Sequence, residues 1–210
     1  MITVHHLNNS RSQRVLWFLE ELDIPYTITF YERDATTNLA PPELKGVHPL
    51  GKSPVVTDGA NVVAESGAIL DYLAERYGGG RFHPAPGTAD ALRHTHFMHF
   101  AEGSAMTPLL LRLYVGRLGA AGEPLWPRIT SEIKNHLDYL EGEVGDRPFL
   151  VGDDLTCADC QVSFVLEAAQ AGGSLEDYPR LRAYLSGLQA RPAYRRGLEK
   201  GGPYAFGPQD

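Results

Sequence analysis

Apolar and polar positions in the first part of the chain alternate between two periods, and each change of period marks an element. Ile2 to His6 reads as a short strand, and Asn8-Asn9-Ser10 interrupts it with residues that favour turns and helix starts. From Ser12 to Leu22 the apolar residues Val15, Leu16, Leu19 and Leu22 recur at helical spacing and predict an amphipathic helix. Asp23-Ile24-Pro25 ends it, and Tyr26 to Tyr31 alternates as a second strand. Glu32 to Val47 is polar, with Pro41 and Pro42, and holds at most a short helix near Glu43. His48-Pro49-Leu50-Gly51-Lys52 is a turn, because Pro and Gly break helix and strand alike. Ser53-Pro54 then enters the run Val55-Val56, with proline at the one strand position that tolerates it and a bond open to the cis form. Asp58-Gly59 turns the chain and Val62-Val63-Ala64 returns it, which makes a β-hairpin. Ser66 is a good N-cap for a helix whose apolar positions are Ile69, Leu70, Leu73 and Tyr77.

The glycine- and proline-rich stretch Gly78 to Gly87 is the clearest break in composition and divides the chain into a domain at 1–80, a linker at 81–87 and a second domain at 88–210. Everything after the break has helical period. A long helix is predicted from near Thr88 to Val115, bent around Gly103 and Pro108. Another covers about Pro124 to Val144, with Ile129, Ile133, Leu137, Leu140 and Val144 spaced for burial. Two shorter ones begin near Pro179 and Pro192, each with proline in its first turn. Thr156-x-x-Asp159 has capping-box spacing, with Asp where Glu or Gln is usual. The order βαβ, short α, ββα, then helices alone, predicts an α/β thioredoxin-like N-terminal domain and an all-α C-terminal domain.

Composition narrows the partners. The chain of 210 residues carries 19 basic and 26 acidic side chains, a net charge of −7, which argues against nucleic acid and against an anionic membrane surface. No apolar run approaches a membrane span, and Met1-Ile2-Thr3-Val4 reads at once as strand and not as a leader. Two cysteines fit a reducing compartment, so a cytoplasmic location is expected.

Several constellations could carry chemistry. Cys157-x-x-Cys160 is a literal redox spacing, but it lies in the helical half inside a capping segment, where two core cysteines are the plainer reading. His94, His96 and His99 resemble a ligand cluster, yet only His96 and His99 share a helix face and no carboxylate adjoins them, so no metal is expected. The junction Glu65-Ser66 is more informative. At a helix start the free N–H groups suit a carboxylate, and Glu65 beside it suits an ammonium group, so the pair fits an amino-acid-like end of a ligand. On those two residues alone a simple helix cap is the commoner arrangement.

Taken in order, Pro49-x-Gly51-x-x-Pro54, the hairpin, Glu65-Ser66 and the amphipathic helix resemble the glutathione-binding half of the glutathione S-transferase superfamily, and the helical half is similar to that family's second domain. His5-His6-Leu7, Tyr31-x-Arg33-Asp34, Ala40 to Lys45 and His48 to Gly51 look like the fungal and bacterial branch related to yeast glutathione transferase I. The resemblance implies a cis Ser53-Pro54 bond, backbone pairing at Ser53 and Pro54 with the cysteinyl part of glutathione, and Glu65 and Ser66 at its γ-glutamyl end. Lys52 could meet the glycyl carboxylate or be a solvated lysine. Ser10, in the segment Ser10-Arg-Ser-Gln-Arg14, falls at the catalytic position, where a hydrogen bond to the glutathione sulfur would favour thiolate. Asn9 and Ser12 are alternative donors, and Ser10 could equally be a plain helix cap. Met106, Leu110 and Tyr114, at i, i+4 and i+8, could line an apolar pocket for the second substrate or be core, and Tyr204-Ala-Phe206 could close over it.

The resemblance therefore implies a homodimeric transferase that directs glutathione thiolate at a small hydrophobic electrophile, with glutathione as cosubstrate and no further cofactor. Two other functions share the same site: a glutathione-dependent peroxidase or disulfide reductase, and a glutathione or ligand carrier without turnover.

Overall fold

The computed structural model describes residues 1–208. Its N-terminal part runs β1 (Ile2–Leu7), α1 (Ser12–Leu22), β2 (Tyr26–Tyr31), a 3₁₀ turn (Pro42–Gly46), β3 (Val55–Asp58), β4 (Asn61–Ala64) and α2 (Ser66–Tyr77). The sheet has four strands in the order β2-β1-β3-β4. β1 pairs parallel with β2, and α1 supplies the crossover that such a pair requires. β3 runs antiparallel to both β1 and β4, so Val4 stands opposite Ile28 on one side and Val56 on the other. Val4, Leu16, Phe18, Val56, Ile69, Leu70 and Leu73 lose all exposure in the core of this unit. Tyr77, spaced as a core residue, is half-buried and donates its hydroxyl to Asp58. Tyr72 donates to the same carboxylate at 2.9 Å, which pins α2 to the hairpin turn.

Two compact units form, Met1–His83 together with Leu188–Asp210, and Pro84–Gly187. The helix expected near Pro192, assigned by sequence to 88–210, is thus part of the first unit. This helix, α8 (Pro192–Gly201), packs along α1 through its glycines. A Cβ on Gly197 would lie 2.9 Å from the Trp17 backbone nitrogen, and one on Gly201 2.8 Å from Gln13 Oε1 and Leu16 Cδ1. Arg196 reaches Glu20 at 2.8 Å, Lys200 bonds the same carboxylate, and Arg191 pairs with Glu21 at 2.6 Å. An ion-pair seam of this kind between residues far apart in sequence has no periodic signature.

The second unit holds α3 (Ala89–Phe100), a π-helical turn (Ala101–Ala105), α4 (Met106–Gly116), α5 (Trp126–Val144), α6 (Cys157–Ala171) and most of α7 (Pro179–Gln189). The bend foreseen around Gly103 and Pro108 takes the form of that π turn, which inserts into an otherwise continuous helix. The capping box at Thr156 and Asp159 forms: Asp159 accepts from the Thr156 N–H at 2.8 Å and its hydroxyl at 2.9 Å, and also from the Leu150 N–H at 2.8 Å and the Tyr184 hydroxyl at 2.6 Å. Cys157 and Cys160 are buried in α6 and are not joined in a disulfide. No described helix is long and apolar enough to cross a membrane.

Candidate functional site

The chain leaves β1 at Leu7 and must turn sharply to start α1. Asn9 makes the turn in the left-handed region, at φ 49°, a conformation that asparagine tolerates better than other non-glycine residues. Arg33 holds it there: its Nε donates to the Asn8 carbonyl at 3.2 Å, its Nη2 to the Asn9 carbonyl at 3.3 Å, and its backbone N–H to Asn8 Oδ1 at 3.1 Å. The Asn9 side chain is oriented from elsewhere, since its Oδ1 accepts the Ala205 N–H at 2.7 Å. The tail bearing Tyr204 and Phe206, stacked edge to face at 5.7 Å, is thereby joined to the turn.

Behind the turn lies a buried row of polar groups. Ser10 Oγ is 2.8 Å from Ser12 Oγ and accepts the Ser12 N–H at 3.2 Å. Ser12 Oγ is in turn 2.8 Å from His6 Nδ1. Ser10 retains 6% exposure and Ser12 none, so Ser12 has no surface to offer a ligand. Burial lowers the His6 pKa to about 4, against a smaller upward pull from the Gly201 carbonyl to which the ring is hydrogen-bonded. The imidazole is therefore neutral near pH 7.

The Ser53-Pro54 loop meets the end of β1 directly. The bond is cis, the Ser53 hydroxyl donates to the His5 carbonyl at 2.8 Å and accepts the Leu7 N–H at 3.2 Å. Lys52 is exposed at the edge of the loop, and Lys45 lies across Gly51, where a Cβ would be 2.8 Å from Lys45 Cγ. Glu65 is exposed and held at φ 72°, a strained conformation for a side-chain-bearing residue. Ser66 proves to be the first residue of α2 and not its cap: its hydroxyl accepts from Arg14 Nη1 at 3.1 Å. The first helical bond runs from the Ile69 N–H to the Glu65 carbonyl, so the N–H groups of Ser66, Gly67 and Ala68 begin the helix without an intrahelical acceptor. The exposed Glu65 precedes them directly in the chain, and its carboxylate could hold a cation beside the anion they favour.

The first unit thus gathers Asn9, Ser10, Ser53, Pro54, Glu65 and Ser66 around the C-terminal end of β1. In the second unit, Met106 is core at 2% exposure, Leu110 is half-buried and Tyr114 is 56% exposed. None of them lines the cavity of about 370 Å³ between α4 and α5, whose walls include Gly103, Thr107, Leu111, Ile129, Glu132 and His136. His94 is buried, whereas His96 accepts or donates to the Tyr139 hydroxyl at 2.9 Å and stacks on Phe100. His6, Arg14 and Arg33 lie in stretches that carry the family resemblance, but nothing in the sequence assigned them these contacts, and nothing marked Ala205. Each acts through a partner distant in sequence, and an arginine inside an apolar helix face was the only visible irregularity.

Residues 1–75 match the glutathione S-transferase N-terminal domain and residues 123–186 its C-terminal domain. The chain is 34% identical to glutathione S-transferase 3 of Schizosaccharomyces pombe over 95% of this chain and 88% of that protein. To glutathione S-transferase 1 of Saccharomyces cerevisiae it is 31% identical over 95% of both. A crystal structure of a glutathione S-transferase from Actinobacillus pleuropneumoniae superposes with a TM-score of 0.87 at 33% identity, covering 96% of this chain and 93% of that one.

Proposed function

This chain belongs to the glutathione S-transferase family, and we propose that its first unit binds glutathione across the end of β1 and presents the thiolate to a hydrophobic electrophile. The observation that carries the reading is the meeting of the cis Ser53-Pro54 loop, the Asn9-Ser10 turn and the start of α2 at one strand end. Ser53 and Pro54 offer backbone groups to the cysteinyl segment. The N–H groups at Ser66 receive the γ-glutamyl carboxylate and Glu65 its ammonium group. Lys52 meets the glycyl carboxylate. With the peptide so fixed, the sulfur lies against the turn at the start of α1, where a hydrogen-bond donor and the helix N-terminus both favour its charged form. A free thiol titrates near about 8.5, so a depression of roughly two units makes thiolate the main species at neutral pH. The thiolate attacks the electrophilic carbon and displaces its leaving group; glutathione is cosubstrate, and the reaction calls for no further cofactor.

Leu110 and Tyr114 are the α4 groups we assign to the apolar substrate, on the strength of their exposure on one helix side; Met106 supports them from the core. The functional species is a cytoplasmic homodimer. The support is an exposed stretch of the helical unit that holds Leu92 and, four residues apart, Gly103, Thr107 and Leu111.

Turnover with an aryl halide, a hydroperoxide and a glutathione mixed disulfide, measured beside glutathione affinity, tests the reading. Conjugation of the aryl halide as the main activity is expected, with Glu65→Ala weakening glutathione binding by roughly tenfold or more, the worth of a charged hydrogen bond. Dominant hydroperoxide or disulfide turnover would replace conjugation by reduction at the same site. Binding without turnover would make the protein a carrier, and absence of glutathione binding would sink the proposal.

A further inference from the structure

Two turns of the first unit meet on one side chain. Arg33 is half-buried just beyond β2, and its guanidinium reaches three backbone carbonyls. Nε donates to Asn8 at 3.2 Å, Nη2 to Asn9 at 3.3 Å and Nη1 to Asn38 at 3.1 Å. Its backbone N–H adds a bond to Asn8 Oδ1 at 3.1 Å. The direction of each bond is fixed, because a guanidinium and a backbone N–H only donate and a carbonyl only accepts. Asn9 and Asn38 are both left-handed, at φ 49° and 60°, a conformation that costs free energy in a residue with a side chain. The loop that contains Asn38 has supports of its own. The Asn38 N–H reaches the Asp34 carbonyl at 2.8 Å, and Asp34 Oδ1 accepts from the Thr36 and Thr37 N–H groups at 3.1 and 2.7 Å. The Asn8-Asn9-Ser10 turn is braced from outside, by Arg33 on its backbone and by the Ala205 N–H on the Asn9 side chain.

These bonds decide which edge of the turn faces a ligand. In a planar trans peptide the carbonyl and the following N–H point in opposite directions. With the Asn8 and Asn9 carbonyls both drawn to one guanidinium, the N–H groups of Asn9 and Ser10 point away from it. A thiolate only accepts hydrogen bonds, and the negative ends of two carbonyl dipoles beside it would raise the pKa of the thiol. The side of the turn that suits a thiolate is therefore the one opposite Arg33, and Arg33 keeps the carbonyls off that side. A lysine would carry the same charge, but its ammonium group is a compact point and not a planar fork that spans adjacent carbonyls. The competing role for Arg33 is a plain structural tie, of the kind Arg191 makes to Glu21. The two roles differ in what they do to the sulfur.

We infer that Arg33 is a positioning residue for the reaction: it holds the carbonyl groups of Asn8 and Asn9 away from the glutathione sulfur and so keeps the thiolate favoured. The inference rests on the glutathione transferase reading and deepens it, giving Arg33 an effect through the turn and no contact with the sulfur.

The test is a pH titration of the ultraviolet thiolate absorbance of glutathione bound to the full chain. Affinity by calorimetry and kcat/KM for an aryl halide are measured over the same pH range. Arg33→Met should raise the apparent thiol pKa by roughly one unit and lower kcat/KM roughly tenfold at neutral pH, with glutathione affinity within a few-fold of wild type. The deficit should narrow as pH rises past the raised pKa, whereas a damaged fold loses the same fraction at every pH. Arg33→Lys keeps the charge and loses the fork, so it should retain more than half of the pKa rise; it is the variant to read if Arg33→Met does not fold. Asp34→Ala loosens the Asn38 loop alone, and should lower the melting temperature while leaving the thiol pKa at its wild-type value. An unchanged thiol pKa in Arg33→Met, or an Arg33→Lys enzyme that titrates as wild type, would overturn the inference while the wild type still binds and conjugates glutathione. A shift in Asp34→Ala as large as that in Arg33→Met would overturn it too. Absence of glutathione binding by the wild type would overturn the transferase reading as well.

Discussion

The Ser66 hydroxyl, placed by sequence as a helix cap, instead receives the Arg14 guanidinium, and the residue that bends the chain into α2 is Glu65 in a strained conformation. Two neighbouring residues therefore exchange the roles that local pattern assigns them. Such strain at an exposed junction is tolerated where surrounding contacts over-determine it. His6 shows a similar dependence on context. Its pKa falls from 6.5 to about 4 on folding, so the unfolded chain binds the extra proton between those values. Its contribution to stability is complete above about pH 6.5 and is lost as pH falls through that window, by up to about 1.4 kcal/mol per pH unit. Chemical denaturation of wild type and His6→Phe across this range should show the acid slope of the wild type reduced in the variant. Asp159 makes the other residue-scale prediction. Its carboxylate satisfies the buried N–H groups of Leu150 and Thr156, so Asp159→Ala should destabilise by roughly 3 kcal/mol or more, and Thr156→Ala by about 1 kcal/mol, in urea unfolding.

At the scale of elements, α8 is held to α1 by shape and by charge. A methyl group on Gly197 would press on the Trp17 backbone, which cannot swing aside as a side chain can. Gly197→Ala should therefore cost about 1–3 kcal/mol and speed amide exchange throughout α8, measured by hydrogen exchange. Burial pushes the Glu20 carboxyl up, but hydrogen bonds from Lys200, Tyr26 and Arg196 outweigh it, and the net pKa is lowered. Its stabilising effect is present above the ordinary carboxylate value and is lost as pH falls through the lower folded value. Acid should accordingly loosen α8 in wild type, and Glu20→Gln should loosen it already at neutral pH. Element boundaries were mostly legible because each helix and strand here has its own apolar period and its own Pro, Gly or Asn stops. Tyr77 departs from its predicted burial because its hydroxyl has a carboxylate, Asp58, within reach.

At the scale of the molecule, the helical unit exposes Leu92 at 75% and also Leu111 and Tyr139. Leu92→Glu combined with Leu111→Glu should convert a sedimenting dimer to monomer at micromolar concentration, while the wild type remains dimeric on dilution through the same range. If both sediment alike as monomers, the homodimer is wrong. The net charge of −7 adds to this, because the introduced carboxylates enlarge a repulsion the chain already carries.

The linear pattern by itself determined the order of strands and helices, the hairpin behind Pro54, the capping box at Thr156 and the family to which the chain belongs. These depend on spacings of a few residues, which survive in one dimension. Only the tertiary structure decided that Ser12 is sealed, that Arg14 reaches Ser66 across 52 positions and that the last helix returns to α1. It also decided that Ser10 lies in a buried row with Ser12 and His6, while Asn9 is held by Arg33 and by the Ala205 N–H. Hydrogen-bond direction depends on every neighbour of a group at once, and neighbours such as Gly201 and His6 are brought together by folding and by nothing in their sequence positions.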